Sequence, residues 1–203
     1  MASSTGSSVR RRPSVVVVTG PSGAGKGTLI RELVERAPGI EVTVSATTRE
    51  RRRGEEDGRE YWFLSDDDFL ARVARGEFLE HVEFVSGHRY GTLRSELDRI
   101  AANGHVPLLE LETEGALRVK HGVRGAVTIF ISARVDELER RLRERATESS
   151  GEIHERIEHA RKQLEQAGEF DHVIENDDLE RAVGELTTLV RGLLGATATM
   201  PRR

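Results

Sequence analysis

The chain contains no cysteine, which excludes disulfides, thiolate metal sites, iron–sulfur clusters and a cysteine nucleophile. Aromatic residues are scarce, with one tryptophan and two tyrosines, so the place of each ring carries information. No apolar run approaches the ~20 residues of a membrane-spanning helix. Nor does the start of the chain show the apolar stretch and small-residue cleavage site of a secretory signal. Neither sign of charge dominates: 31 Lys and Arg against 35 Asp and Glu leave a net charge of −4. That balance argues against a dominant nucleic-acid or anionic-membrane surface and leaves room only for local basic clusters. The expectation is a cytoplasmic protein with neither nucleic acid nor membrane as partner; the sequence fixes no oligomeric state.

What is present suits one core with small inserted lobes. The 203 residues are 36% hydrophobic, enough for such a core, and 33% charged, which predicts a densely charged surface. Residues 1–13 read as a Ser-rich, then Arg-rich tail. Val15 to Val18 form a β-branched strand that runs into glycines, and a helix over Thr28 to Arg36 stops at Pro38-Gly39. Strands are predicted near Glu41–Ser45, Tyr61–Leu64, Phe78–Val85, Val106–Glu112, Ala126–Ile131 and His172–Ile174. Helices are predicted from Ser65 as cap through Phe69, Leu70 and Val73, over Arg94–Ala102, Val135–Arg145 and Ile153–Ala167, and from Asp177 or Asp178 to Leu194. Strands alternating with helices imply an α/β fold with a mostly parallel sheet covered on both faces. The stretch from Ser45 to Arg94 breaks that rhythm and reads as an insertion.

The strongest motif is Gly20-Pro21-Ser22-Gly23-Ala24-Gly25-Lys26, followed by Gly27-Thr28. It follows a strand and opens a helix, the context a phosphate-binding loop requires. Glycines let the backbone turn so that several N–H groups face one anion, the helix N-terminus adds a favourable dipole, and Lys26 adds a positive charge. The motif's usual Ser or Thr after the lysine, a Mg²⁺ ligand, is Gly27 here; either Thr28 one step later or carboxylates and water must carry the metal. Val106 to Glu110 is an apolar strand ending in a carboxylate. Glu112 lies two residues on, and period-two spacing puts both acids on the same side of the strand, which calls for a cation, hydrogen-bond donors or solvent.

Four arginines crowd Arg49 to Arg53, and both tyrosines, Tyr61 and Tyr90, fall in the same inserted segment. Arginine matches phosphate geometry better than any other side chain. Ordered along the chain are Ser45-x-Thr47-Thr48-Arg49-x-x-Arg52-x-Gly54-Glu55, Gly58-x-x-Tyr61, Glu77 to Glu80, Tyr90-Gly91-Thr92 and Asn176-Asp177-Asp178. With the glycine loop, these blocks resemble guanylate kinase, a family of P-loop nucleoside monophosphate kinases, over about residues 15–194.

The resemblance implies Mg²⁺-dependent phosphoryl transfer from ATP to GMP, with dGMP as a further acceptor. It implies a P-loop kinase core with a parallel sheet flanked by helices (residues 14–44, 95–143 and 158–195), a small mixed α/β GMP-binding lobe (45–94), a short lid (144–157) and a loose tail (196–203). ATP would be held by Gly20 through Thr28 and by Asn176; Lys26, Arg145 and Arg156 would act on the transferring phosphoryl; Thr28 and Glu110 would face Mg²⁺. The GMP phosphate would be held by Ser45, Arg49, Arg52, Tyr61 and Tyr90, with Glu55 orienting the arginines. Glu80 would accept from guanine N1–H and N2–H, with Ser45, Thr92 and Glu112 completing base recognition.

The chain departs from the family pattern at Gly27, at Glu110 and Glu112 in place of Asp-x-Asp, and at Arg143-Glu144-Arg145-Ala146 where Gly-Arg-Gly is usual. Two other readings of such departures are a paralogue acting on another nucleotide or small phosphate, and a non-catalytic phosphoprotein-binding module. The intact loop and Lys26 weigh against the module, because a scaffold has no need of them.

Overall fold

The computed structural model describes residues 12–84, 86–145 and 150–195, with seven α-helices and nine strands assigned among them. Five strands build the central sheet: β1 (Val15–Thr19), β2 (Ile40–Val42), β7 (Val106–Glu110), β8 (Ala126–Ser132) and β9 (His172–Glu175), in the order β2-β7-β1-β8-β9. All neighbours are parallel. The valine strand explains its own position. Val16 and Val18 pack with Leu29 and Leu33 of α1 (Lys26–Arg36) and Leu186 and Val190 of α7 (Leu179–Gly195); Val15 and Val17 point the other way, into a cluster with Leu109, Phe130 and Phe170. A strand buried on both faces needs apolar residues at every position rather than at alternate ones.

A second sheet, ordered β4-β3-β6-β5, sits in the predicted insertion: β3 (Ala46–Thr47), β4 (Trp62–Phe63), β5 (Phe78–Glu83) and β6 (Arg89–Leu93). Its own small core joins Ala46, Phe78 and Leu93 to Phe69 of α2 (Asp66–Ala74). Ser65 caps α2 as the sequence predicts, its hydroxyl accepting from the Asp68 N–H at 3.1 Å. Likewise Asp178 caps α7 through the Arg181 N–H at 2.8 Å.

Three expectations are corrected. The strand predicted over Glu41–Ser45 is divided: β2 stops at Val42, and the chain crosses to the second sheet before β3 begins at Ala46. The strand predicted to reach Glu112 ends at Glu110, and Glu112 instead precedes a helix that sequence reasoning missed, α4 (Thr113–Gly122). Glu110 and Glu112 therefore do not share a strand face. The remaining helices are α3 (Arg94–Ala102), α5 (Val135–Arg145) and α6 (Ser150–Glu165), the last starting three residues before its predicted start. The tail predictions fall mostly outside the described residues, as does the middle of the lid, and so does the Arg145 side chain.

Both crossings between the sheets meet at one buried carboxylate. Glu96, on the first turn of α3, accepts from the Val44 N–H at 3.0 Å and from Trp62 Nε1 at 3.3 Å. Arg99 donates to it through Nε at 3.1 Å and Nη2 at 3.0 Å, and reaches Glu41 at 2.6 Å. Burial alone would raise the Glu96 pKa, but the hydrogen bonds from Arg99 and Val44 outweigh it and hold the group below the usual glutamate value. Its stabilising contribution is thus present above the ordinary glutamate range and is lost as pH falls through the depressed folded value. Glu96→Ala leaves these donors unpaired and is expected to cost about 3 kcal/mol, read by denaturant unfolding at neutral pH. A variant as stable as the parent would remove Glu96 from the junction.

Candidate active site

The loop after β1 is shaped by glycines that no other residue can replace. Gly20 has φ 139°, and a Cβ there would lie 2.2 Å from the Ile131 carbonyl oxygen. Gly25 has φ 85°, and its Cβ would lie 2.5 Å from Asn176 Nδ2. Asn176, itself buried, donates from Nδ2 to the Ala24 carbonyl at 2.7 Å, and its N–H bonds the Ser132 carbonyl at 2.8 Å. The loop is thereby braced from β8 and β9, and α1 starts at Lys26 with its N-terminus facing the loop's concavity.

An open cavity of about 370 Å³ lies in front of this turn, lined by Ser22, Gly23, Gly25, Lys26, Gly27, Thr28, Arg31 and Glu110. The Lys26 ammonium is folded back on the loop, donating to the Gly20 carbonyl at 2.6 Å and the Pro21 carbonyl at 3.2 Å. Glu110 is solvent-accessible at the end of β7, yet the surrounding protein desolvates its carboxyl and raises its pKa; the Lys26 charge lowers it and the Glu112 charge raises it again. Gly27 has open space where a Cβ would stand.

Two arginines approach the loop from the helices. Arg156 of α6 donates from Nη2 to Ser22 Oγ at 3.1 Å, so the structure brings this predicted residue to the loop. Arg141 of α5 was not among the predicted residues. Its Nη1 donates to the Gly23 carbonyl at 3.2 Å while Nε holds Glu137 at 2.7 Å. Only the i,i+4 pair was visible in sequence; the contact to Gly23 spans 118 positions. Arg31 on the cavity wall was missed as well.

In the second sheet, Glu55 organises the arginine segment. Its carboxylate accepts from Arg49 Nη2 at 2.8 and 3.0 Å and from the Arg52 N–H at 2.8 Å. The Arg49 hydrogen bond first, then the Arg52 N–H, hold its pKa below the usual value. Arg49 stands 5.3 Å from the Tyr61 ring centroid, within cation–π range, and the Tyr61 and Tyr90 rings meet edge to face at 5.9 Å. Desolvation is the main force raising the Tyr61 pKa, so the phenol remains a neutral donor. Arg49, Glu55, Tyr61 and Tyr90 thus converge, while the Arg52 side chain is exposed and Ser45 is half-buried at the sheet junction.

Glu80 on β5 is almost completely buried. Its Oε1 accepts both the Thr92 N–H at 3.0 Å and the Thr92 hydroxyl at 2.9 Å. Its Oε2 faces Gly115 of α4, where a Cβ would stand 3.4 Å away. Desolvation is the largest influence on this carboxyl and raises its pKa against the two Thr92 hydrogen bonds. Glu112 at the start of α4 accepts from Gln163 of α6. The arrangement therefore has a cationic phosphate cradle on the core and, on the second sheet, an arginine–tyrosine cluster with a buried acid beyond it.

Comparison with known proteins yields a consistent set of matches. The family model described as guanylate kinase matches residues 11–193. A guanylate kinase of Synechococcus sp. (strain CC9311) is 48% identical over 176 residues, 86% of this chain and 91% of that protein. One from Parasynechococcus marenigrum (strain WH8102) is 45% identical over 183 residues, 90% of this chain and 98% of that one. Among solved structures, guanylate kinase from Anaplasma phagocytophilum superposes with a TM-score of 0.70 at 28% identity, covering 93% of this chain and 90% of that chain.

Proposed function

The chain belongs to the guanylate kinase family, and from that premise we propose where it holds its two nucleotides and how it joins them. The reaction transfers the γ-phosphoryl group of ATP to GMP, giving ADP and GDP. ATP lies on the core: the N–H groups of Gly20 to Thr28 and the α1 dipole take its phosphates, and Lys26 exchanges its two carbonyl acceptors for phosphate oxygens. Asn176 supports this site from behind, by bracing Ala24. GMP lies on the second sheet as the acceptor lobe, residues 45–94. Its phosphate faces Arg49, Arg52, Tyr61, Tyr90 and Ser45, with Arg49 preset by Glu55.

The observation that carries the GMP reading is the state of Glu80. One oxygen is saturated by Thr92 and the other is left to accept, inside a buried wall. Guanine offers N1–H and N2–H as adjacent donors, whereas adenine presents an acceptor at N1. A buried acceptor rejects the wrong base steeply because mismatched polar groups are left unpaired. Ser45, Thr92 and Glu112 complete the base site. None of these contacts goes to the ribose, so dGMP is an acceptor as well. Transfer then needs alignment, charge neutralisation and exclusion of water; Lys26, Arg156 and Arg145 supply charge, and a lid over residues 144–157 supplies exclusion. Cytoplasmic residence matches both substrates.

Mg²⁺ fits the donor set in front of the loop. Glu110 and Thr28 offer hard oxygen ligands, and no trio of His, Cys, Asp or Glu forms a cage among the described residues, so nucleotide oxygens and water must complete the shell. When bound with ATP, the ion neutralises phosphate charge. Gly27→Ser tests this arrangement. Gly27 lies in ordinary helical backbone with open space at Cβ, so serine is accommodated and helix propensity improves by about 0.5 kcal/mol. The added hydroxyl is expected to lower the Mg²⁺ concentration for half-maximal activity by about threefold or more, the order of one added hydrogen-bond-strength contact. An unchanged Mg²⁺ titration would mean that position 27 does not face the ion.

A coupled assay of ADP release with Mg²⁺, ATP and a panel of GMP, dGMP, AMP, CMP, UMP and dTMP tests the proposal. Turnover is expected with GMP and dGMP alone; comparable turnover with AMP would contradict the acceptor site drawn here.

A further inference from the structure

Gln163 has no part in the contacts proposed above for either nucleotide. It sits on α6 and is almost completely buried. Its Nε2 donates to Glu112 Oε2 at 3.0 Å and lies 3.5 Å from Thr113 Oγ1. Its Oε1 is buried with no hydrogen-bond partner. The reverse amide orientation would set Gln163 Oε1 against the Glu112 carboxylate, acceptor against acceptor, so the ionised acid dictates which way the amide points. The orphan oxygen is what this orientation costs, and a fold that tolerates one has a constraint on the other end of the amide.

Glu112 needs such a constraint. It is exposed, it stands at the N-cap of α4 without capping that helix through its side chain, and it reaches one methylene further than an aspartate. Left alone, its carboxylate would spread over several rotamers in water. The tether comes from the helix that also carries Arg156. Arg156 and Gln163 are seven residues apart, which on an α-helix is the same face about 10 Å further along. One face of α6 therefore touches the phosphate loop through Ser22 and the base-reading acid through Glu112.

We infer that Gln163 is a positioning residue for guanine recognition: it holds the Glu112 carboxylate toward the purine 2-amino group and links that acid to the helix touching the ATP loop. The inference rests on the proposed reading of Glu112 as part of the base site. Discrimination of GMP from IMP, which lacks the 2-amino group, reads it directly.

Gln163→Met removes the donor and the orphan oxygen together at nearly constant shape, so the fold should hold. It is expected to reduce the GMP-to-IMP ratio of kcat/KM by about tenfold while the KM for ATP stays within about twofold, a base-specific loss rather than a general one. Gln163→Glu, which sets two acids together, is expected to reduce the ratio at least as much. Adding Gln163→Met to Glu112→Ala should change the ratio no further, because the tethered group is already gone. A folded Gln163→Met enzyme with an unchanged ratio, or one that loses GMP and IMP equally, would overturn the inference. If Glu112→Ala lowers the ratio and Gln163→Met does not, only the tether fails. If Glu112→Ala leaves the ratio unchanged, the base-reading role of Glu112 fails and the tether with it.

Discussion

Glu80→Gln should cut kcat/KM for GMP by about 10²- to 10³-fold while the KM for ATP changes little, a magnitude typical of removing one buried recognition group. The parent carboxylate already spends Oε1 on Thr92 and keeps Oε2 free. In the amide, the oxygen is drawn to Thr92, which leaves an NH₂ group facing guanine N1–H, donor against donor. Steady-state kinetics with each nucleotide varied in turn checks this; equal losses for ATP and GMP would contradict the role. The same substitution should hold or raise the melting temperature at neutral pH. Desolvation raises the folded pKa of Glu80 above its unfolded value, so the native state binds the extra proton in that window. Stability therefore falls as pH rises from the ordinary glutamate range through the raised value, and an uncharged amide avoids that cost. GMP binding has the opposite slope, because the base needs the ionised acid. The KM for GMP should climb on the acid side at a pH above that of ordinary glutamates, and Glu80→Gln should lack this limb.

Lys26→Ala should lower kcat by about 10³-fold or more, because one cation is lost beside the oxygens where charge shifts during transfer. Its two acceptors in the unliganded loop are the backbone carbonyls of the buried residues Gly20 and Pro21, so the substitution also removes two hydrogen bonds there. The loop itself is held by Asn176 and by the glycine conformations, so the variant should fold, with a melting temperature lowered only by the loss of those two hydrogen bonds. Loss of the Lys26 charge also removes the one influence that lowers the Glu110 pKa, leaving that acid more readily protonated. Single-turnover measurement of GDP formation at saturating ATP and GMP separates this loss from weakened binding. An unchanged rate would remove Lys26 from the chemical step.

The elements read most easily from sequence are those with local causes. Four consecutive valines before a glycine loop describe a strand buried on both faces, and the structure places Val15 and Val17 on one side and Val16 and Val18 on the other. Ser65 and Asp178 announce helices because their caps reach only three residues ahead. The missed helix α4 has a weaker local voice. Gly115 lies inside it and Gly122 ends it, and its start is masked by a strand pattern that runs from Val106 past Glu110. That error also put Glu112 on the wrong element. Arg141, Arg31 and Gln163 were illegible for another reason. On their own helices they read as ordinary polar positions, and what distinguishes Arg141 and Gln163 is a partner 118 or 51 residues away. The cluster of Arg49, Glu55, Tyr61 and Tyr90 was recoverable through an ordered set of motifs, although its hydrogen-bond geometry was not.

The most direct single measurement is kcat/KM for GMP against AMP in the parent enzyme, with Mg²⁺ and saturating ATP. A pocket that reads guanine through a buried acceptor predicts a preference for GMP of about 10⁴-fold or more. A preference below about tenfold would contradict guanine reading by Glu80, since an acceptor left facing adenine N1 in that buried wall must cost far more than that.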